Sequence, residues 1–139
     1  MINFSGGERT NEQLFKLPFI AKCRNELVEC VGSEKYSVMI DRDVVLVENN
    51  IIETMCEYLE GNPDFGAVGL RELPGGDEKP EHVPLSCVMV RKEVWDTGIR
   101  FKDKMPCECL SFIQDVRQAG FKMGYLRNQA DIKHLHVFL

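Results

Sequence analysis

The chain lacks a long apolar run, an excess of positive charge and any C-x-x-C pair, and each absence removes a class of protein. A membrane-spanning helix needs about 20 consecutive apolar residues, and none of the 139 residues begins such a stretch. Lys and Arg number 17 against 22 Asp and Glu, a net charge of −5. Without a basic stripe to neutralise phosphates, nucleic acid is not an expected partner. The opening Met1-Ile2-Asn3-Phe4-Ser5-Gly6-Gly7 has neither the basic nor the apolar segment of a secretory leader. No Walker loop, Gly-x-Gly-x-x-Gly or Gly-x-Ser-x-Gly elbow occurs. What remains is a 44% hydrophobic, 28% charged composition, that of a globular domain. The expectation is one soluble, cytoplasmic domain over residues 1–139.

Six cysteines stand at 23, 30, 56, 87, 107 and 109. Cys23, Cys30 and Cys56 fall on the apolar faces of expected helices, where a reduced thiol packs as a small hydrophobe. Cys107-Glu108-Cys109 is too tightly spaced for a zinc hairpin and has no second pair to complete four ligands. Buried or half-buried reduced thiols are therefore expected.

Helix and strand signals alternate along the chain. Residues 1–10 read as a loop, and Asn11 caps a short helix that Pro18 interrupts. From Phe19 an amphipathic helix carries Ile20, Cys23, Leu27, Cys30 and Val31 inward and stops at Gly32. Tyr36 to Ile40 is an apolar run suited to a strand buried on both faces, ending at Asp41-Arg42-Asp43. A helix from Asn49 to Glu60 and a strand from Phe65 to Leu70 follow. Three prolines between Leu73 and Pro84 mark an exposed loop. Then come a strand over 85–90, a helical turn over 91–95, a helix over 106–119 with Cys109, Phe112, Ile113, Val116 and Ala119 inward, and a strand over 121–126. This order implies an α/β fold with a mostly parallel sheet flanked by helices.

Asp41 and Asp43 carry the strongest chemical signal. Residues two apart on extended chain project to one side, and these end a strand, where open α/β sheets bind ligands. Converging carboxylates suit Mg²⁺ or Mn²⁺, which in turn holds a diphosphate. His134 and His136 also alternate on extended chain, so either imidazole is a candidate further ligand. Glu108 opens a helix, where its charge favours the dipole and its carboxylate can serve as a base. The Gly75-Gly76-Asp77-Glu78 tetrapeptide lies in the proline-rich loop and carries no role.

Taken in order, several segments resemble family-2 glycosyltransferases of the GT-A fold. Cys23-Arg24-Asn25-Glu26-Leu27 followed by Tyr36 to Val44 is similar to that family's Arg-Asn helix, strand and Asp-x-Asp. Asn62-Pro63-Asp64-Phe65-Gly66-Ala67-Val68-Gly69 resembles its NPDVGAVGG stretch. Cys87 to Trp95 with Gly98 and Phe101, Glu108 with Arg117-Gln118-Ala119-Gly120-Phe121, and Ala130-Asp131-Ile132-Lys133-His134 resemble later segments, collinear from residue 21 to 136. The resemblance implies a nucleotide-sugar donor held by Arg24, Asn25, Asp41 and Asp43. It also implies Mn²⁺ or Mg²⁺ on Asp41, Asp43 and His134, an inverting transfer to an acceptor hydroxyl, and Glu108 as base. Two departures stand out. Cys109 replaces the family's Asp beside Glu108, and the family's first strand–helix–strand unit has no counterpart before residue 20. Those departures raise two other readings, a non-catalytic binding or assembly module and a metal-dependent phosphohydrolase. An open sheet edge that a second copy or a partner chain covers is a further expectation.

Overall fold

The computed structural model describes residues 11–41, 44–46, 50–71, 85–103, 108–127 and 132–134, with the backbone alone for 11–18, 71, 127 and 132–134. Helix α1 (Asn11–Glu29) is followed by β1 (Tyr36–Ile40), β2 (Val44–Leu46), α2 (Ile51–Gly61), β3 (Phe65–Arg71), β4 (Cys87–Arg91), α3 (Lys92–Asp96), α4 (Glu108–Gln118), β5 (Lys122–Arg127) and β6 (Ile132–His134). The main sheet has the order β1-β4-β3-β5, and β2 and β6 form a separate ribbon. β4 is antiparallel to both β1 and β3, whereas β5 is parallel to β3. β1, β3 and β5 thus point one way and β4 alone is reversed. The expected α/β architecture is present, and its one reversed strand comes from an apolar run whose direction no side-chain pattern encodes.

Alternation along the central strands divides the core in two. Val88, Val90 and Ala67 pack with Phe112, Ile113, Val116, Val94 and Trp95 on the face covered by α1, α3 and α4. Cys87, Met89, Val68 and Leu70 pack with Ile51, Met55 and Leu59 of α2 on the other. The α2 residues recur every fourth position, one stripe of a helix, and Glu53 adds a favourable charge in its first turn. α4 ends at Gly120, whose φ of 95° suits a residue without a Cβ.

Several expectations need correction. α1 runs through Pro18 as one 19-residue helix, so the missing N–H is borne inside it and does not end it. Its buried face is Ala21, Arg24 and Val28, while Leu27 and Cys30 are exposed and Cys23 is half-buried. The apolar stripe read from the sequence therefore faces outward over much of its length. β1 is an edge strand with only Met39 buried, not a strand covered on both faces. Ala119 is exposed, because α4 has ended. Cys23, Cys56, Cys87 and Cys109 are free, buried or half-buried thiols, whereas the free thiol Cys30 is exposed; Cys107 lies outside the described residues. Residues 1–10 and the loop over 73–84 lie outside the described residues.

Candidate functional site

The site begins where β1 ends. Ile40 hands the chain to Asp41, whose N–H donates to the Ser86 carbonyl at 2.8 Å and whose carbonyl accepts from Val44 N–H at 3.1 Å. Arg24, from the buried face of α1, reaches this point. Its Nη2 donates to Asp41 Oδ1 at 2.9 Å and its Nη1 to the Leu85 carbonyl at 3.2 Å. The guanidinium lies 5.4 Å from the centroid of the Phe101 ring, a cation–π position. The Arg24 side chain is 11% exposed and that of Asp41 35%. The pair thus has a buried cationic end and a carboxylate open to solvent.

Asn25, the next residue of α1, turns to the 101 segment. Its Nδ2 donates to the Phe101 carbonyl at 2.9 Å and its Oδ1 accepts from Phe101 N–H at 2.7 Å. Both ends of the amide grip backbone, so Asn25 positions Phe101, and Phe101 in turn supports Arg24. Sequence reasoning did not find this relay through Phe101 and Leu85, since a backbone carbonyl leaves no mark in a sequence.

Glu108 stands at the start of α4. That helix returns through a short turn to β5, whose direction matches β1, so its N-terminal end lies toward the strand ends at which Asp41 sits. Glu108 is buried, and its Oε2 has no hydrogen-bond partner among the described residues. Arg24 Nε is orphaned in the same way. Phe112, one turn beyond Glu108 on the same face, stacks on Phe101 at 4.7 Å between centroids. Arg24 therefore packs against one ring of a stack whose other ring is one helical turn from Glu108. Buried polar atoms normally find partners, and an exception calls for an explanation.

The ribbon brings in the chain's far end. β2 pairs with β6 in the register Val44↔His134, Val45↔Lys133 and Leu46↔Ile132. His134 thus lies across the ladder from the residue following Asp43, within about 4.5–5.5 Å between Cα atoms. Asp43 and His136 fall outside the described residues, and of His134 only the backbone is described. Among the described residues no three His, Cys, Asp or Glu side chains cluster as a metal site. Of the three residues implied for a cation, Asp41 alone has a described side chain, part-exposed and ion-paired to Arg24.

The Asp41 charge is also felt at Cys87, the β4 residue whose backbone pairs with Ile40. Burial, with the Asp41 charge adding to it, pushes this thiol up to about 11. An open depression of about 550 Å³ lies between α1 and residues 100–103, lined in part by Asn25, Glu29, Arg100 and Asp103, without Asp41 or Glu108. No helix among the described residues is long and apolar enough to cross a membrane.

No protein-family model and no curated protein matches this sequence. Among solved structures, the chain is similar to the mannosyltransferase PcManGT from Pyrobaculum calidifontis, determined in complex with GDP-Man and Mn²⁺. The TM-score is 0.64 at 13% identity, over 78% of this chain and 34% of that one. The chain thus has a glycosyltransferase fold and spans about a third of the length of the enzyme it matches. A glycosyltransferase involved in glycosylation of the major capsid of PBCV-1 aligns with a TM-score of 0.49 and 14% identity, over 99% of this chain and 78% of its own.

Proposed function

We propose that the chain is a glycosyltransferase domain that transfers a sugar from a nucleotide-sugar donor to an acceptor hydroxyl, with inversion at the anomeric carbon. What supports this reading is the topology, in which the end of β1 that carries Asp41 and the start of α4 that carries the buried Glu108 share one end of the sheet, with Glu108 Oε2 left without a hydrogen-bond partner among the described residues. Asp41, Asp43 and His134 would hold Mn²⁺ or Mg²⁺, which supplies positive charge to the departing diphosphate. Arg24 fixes Asp41 through Oδ1. Glu108 takes the proton of the acceptor hydroxyl as its oxygen bonds to the anomeric carbon and the bond from that carbon to the diphosphate breaks. The fold shared with an enzyme solved with GDP-Man and Mn²⁺ supports donor and metal of this class.

A second reading, a binding module that keeps the fold without turnover, is favoured by Cys109. It places a buried thiol beside Glu108 where the resembled family has a carboxylate. Calorimetry and a transfer assay on two variants separate these readings. Asp41→Asn is expected to abolish Mn²⁺ binding. Glu108→Gln is expected to retain Mn²⁺ and donor binding while losing at least a hundredfold in turnover, the usual scale of general-base catalysis (about 10²–10⁴). Mn²⁺ binding unchanged in Asp41→Asn would overturn the metal assignment. Donor binding without turnover in the parent chain would establish the module.

A further inference from the structure

Phe101 is 3% exposed, yet it lies in the stretch 99–103, which belongs to no helix or strand. A buried backbone group outside a ladder still needs a hydrogen-bond partner. Both groups of Phe101 find theirs in one side chain, 76 residues earlier. Asn25 Nδ2 donates to the carbonyl at 2.9 Å, and the N–H donates to Asn25 Oδ1 at 2.7 Å. An amide suits this task because it carries a donor and an acceptor side by side. The flanking residues are tied as well, Arg100 to Glu29 of α1 and Lys102 to Asp115 of α4. Those are ion pairs with solvent-exposed ends, which water screens and which contribute little. The stretch 99–103 therefore joins the helix that carries Arg24 to the helix that opens with Glu108, and the part-buried Asn25 amide is its fastening.

From Phe101 the contacts run two ways. Its ring lies 5.4 Å from the Arg24 guanidinium, and Arg24 Nη2 donates to Asp41 Oδ1 at 2.9 Å. On its other side the ring stacks on Phe112 at 4.7 Å between centroids, one helical turn from Glu108. We infer that Asn25 is a positioning residue: by clamping the Phe101 backbone it sets the α1 end of the site, Arg24 with Asp41, against the α4 end, Glu108. The inference rests on the proposed reading of Asp41 and Glu108 as the donor side and the base of one site. It gives Asn25 no contact with substrate, in place of the donor contact that the resemblance implies. Loss of the clamp leaves Arg24 and Glu108 in their helices and lets their separation vary. Residues that hold a site's contacting groups from behind typically contribute about 10–100-fold in affinity or activity.

The chain has a single tryptophan, Trp95, whose ring lies 6.0 Å from that of Phe101 and 5.6 Å from that of Phe112. Its indole N–H signal in proton–nitrogen correlation spectra therefore reads the stack. The Arg24 Nε–H signal, identified by its loss in Arg24→Lys, reads the other side of the clamp. Asn25→Asp keeps the size and the acceptor, loses the donor and sets an oxygen against the Phe101 carbonyl. In the chain without metal or donor it is expected to move both signals. Asn25→Ala, which removes both bonds, is the second variant should the carboxylate disturb the fold, as checked by circular dichroism. Asn62→Ala removes a comparable bond, to the Tyr58 carbonyl at 2.7 Å, and is expected to move neither signal, whatever it costs in Tm. In a transfer assay Asn25→Asp is expected to lose about 10–100-fold in kcat, and Asn62→Ala to lose nothing. Signals left in place by the folded Asn25 variants, signals displaced as far by Asn62→Ala, or full transfer by Asn25→Asp would overturn the inference. A parent chain without transfer counts against the proposed function instead, and the two signals then decide the clamp.

Discussion

Arg24 shows how a single buried residue can be legible in identity and illegible in role. The Arg24-Asn25 pair stands out in the sequence through its resemblance to a family motif, which implies donor contact for both. In the structure Asn25 spends its whole amide on the Phe101 backbone, and Arg24 divides its donors between Asp41 and the Leu85 carbonyl. Side-chain to backbone bonds across 61 and 76 residues leave no local pattern to read. Cys87 is a second case, since nothing in its apolar run marks it as sensitive to the Asp41 charge. Its thiol is raised from 9.0 to about 11 by burial first and by Asp41 second. The folded chain therefore holds this proton more tightly than the unfolded chain, and the resulting stability is present below pH 9 and lost as pH rises toward 11. Urea unfolding between pH 8 and 11 is expected to show a steeper loss for the parent chain than for Cys87→Ala. Parallel pH profiles would contradict the assignment.

At the scale of elements, periodicity was a sound guide wherever packing had one side to choose. The stripe Ile51, Met55 and Leu59 of α2 and the inward set Phe112, Ile113 and Val116 of α4 are buried as their spacing implies. α1 departs from that rule because it carries apolar residues on two faces, and the sheet selects the one with Ala21, Arg24 and Val28. The pairing of β2 with β6 is not legible in the sequence, for three-residue strands 86–90 positions apart in register have too little pattern to declare each other. The resembled Asn62-to-Gly69 stretch can be tested through its glycine. A Cβ at Gly66 would lie 2.7 Å from Val94 Cγ2 and 2.8 Å from Phe121 Cβ, contacts fixed by α3 and the turn into β5. Gly66→Ala is expected to cost about 1–3 kcal/mol. Gly61→Ala, where nothing lies within 4 Å, is expected to be neutral or stabilising by about 0.4–1 kcal/mol. Urea midpoints check both, and a Gly66→Ala protein as stable as the parent would contradict the packing.

For the whole molecule, the alternation of helices and strands implies the α/β class that the structure has, and the Asp41 position at a strand end marks the candidate site. Less legible were the reversed strand β4 and the open edge of β1, because an apolar run reads alike whether it lies at the centre of a sheet or along its rim. The glycosyltransferase fold and the Asp41–Arg24 and Glu108 geometry meet in one claim, that this end of the sheet receives a nucleotide-sugar in the presence of a divalent cation. A thermal-shift series with UDP-, GDP- and dTDP-sugars, each with and without Mn²⁺, tests it most directly. A ligand bound by the folded state alone stabilises by about 2.7 kcal/mol at a hundredfold excess over Kd. The account predicts a Mn²⁺-dependent rise in Tm with one nucleotide class, absent in Asp41→Asn. No rise with any donor, or a rise that survives Asp41→Asn, would contradict it.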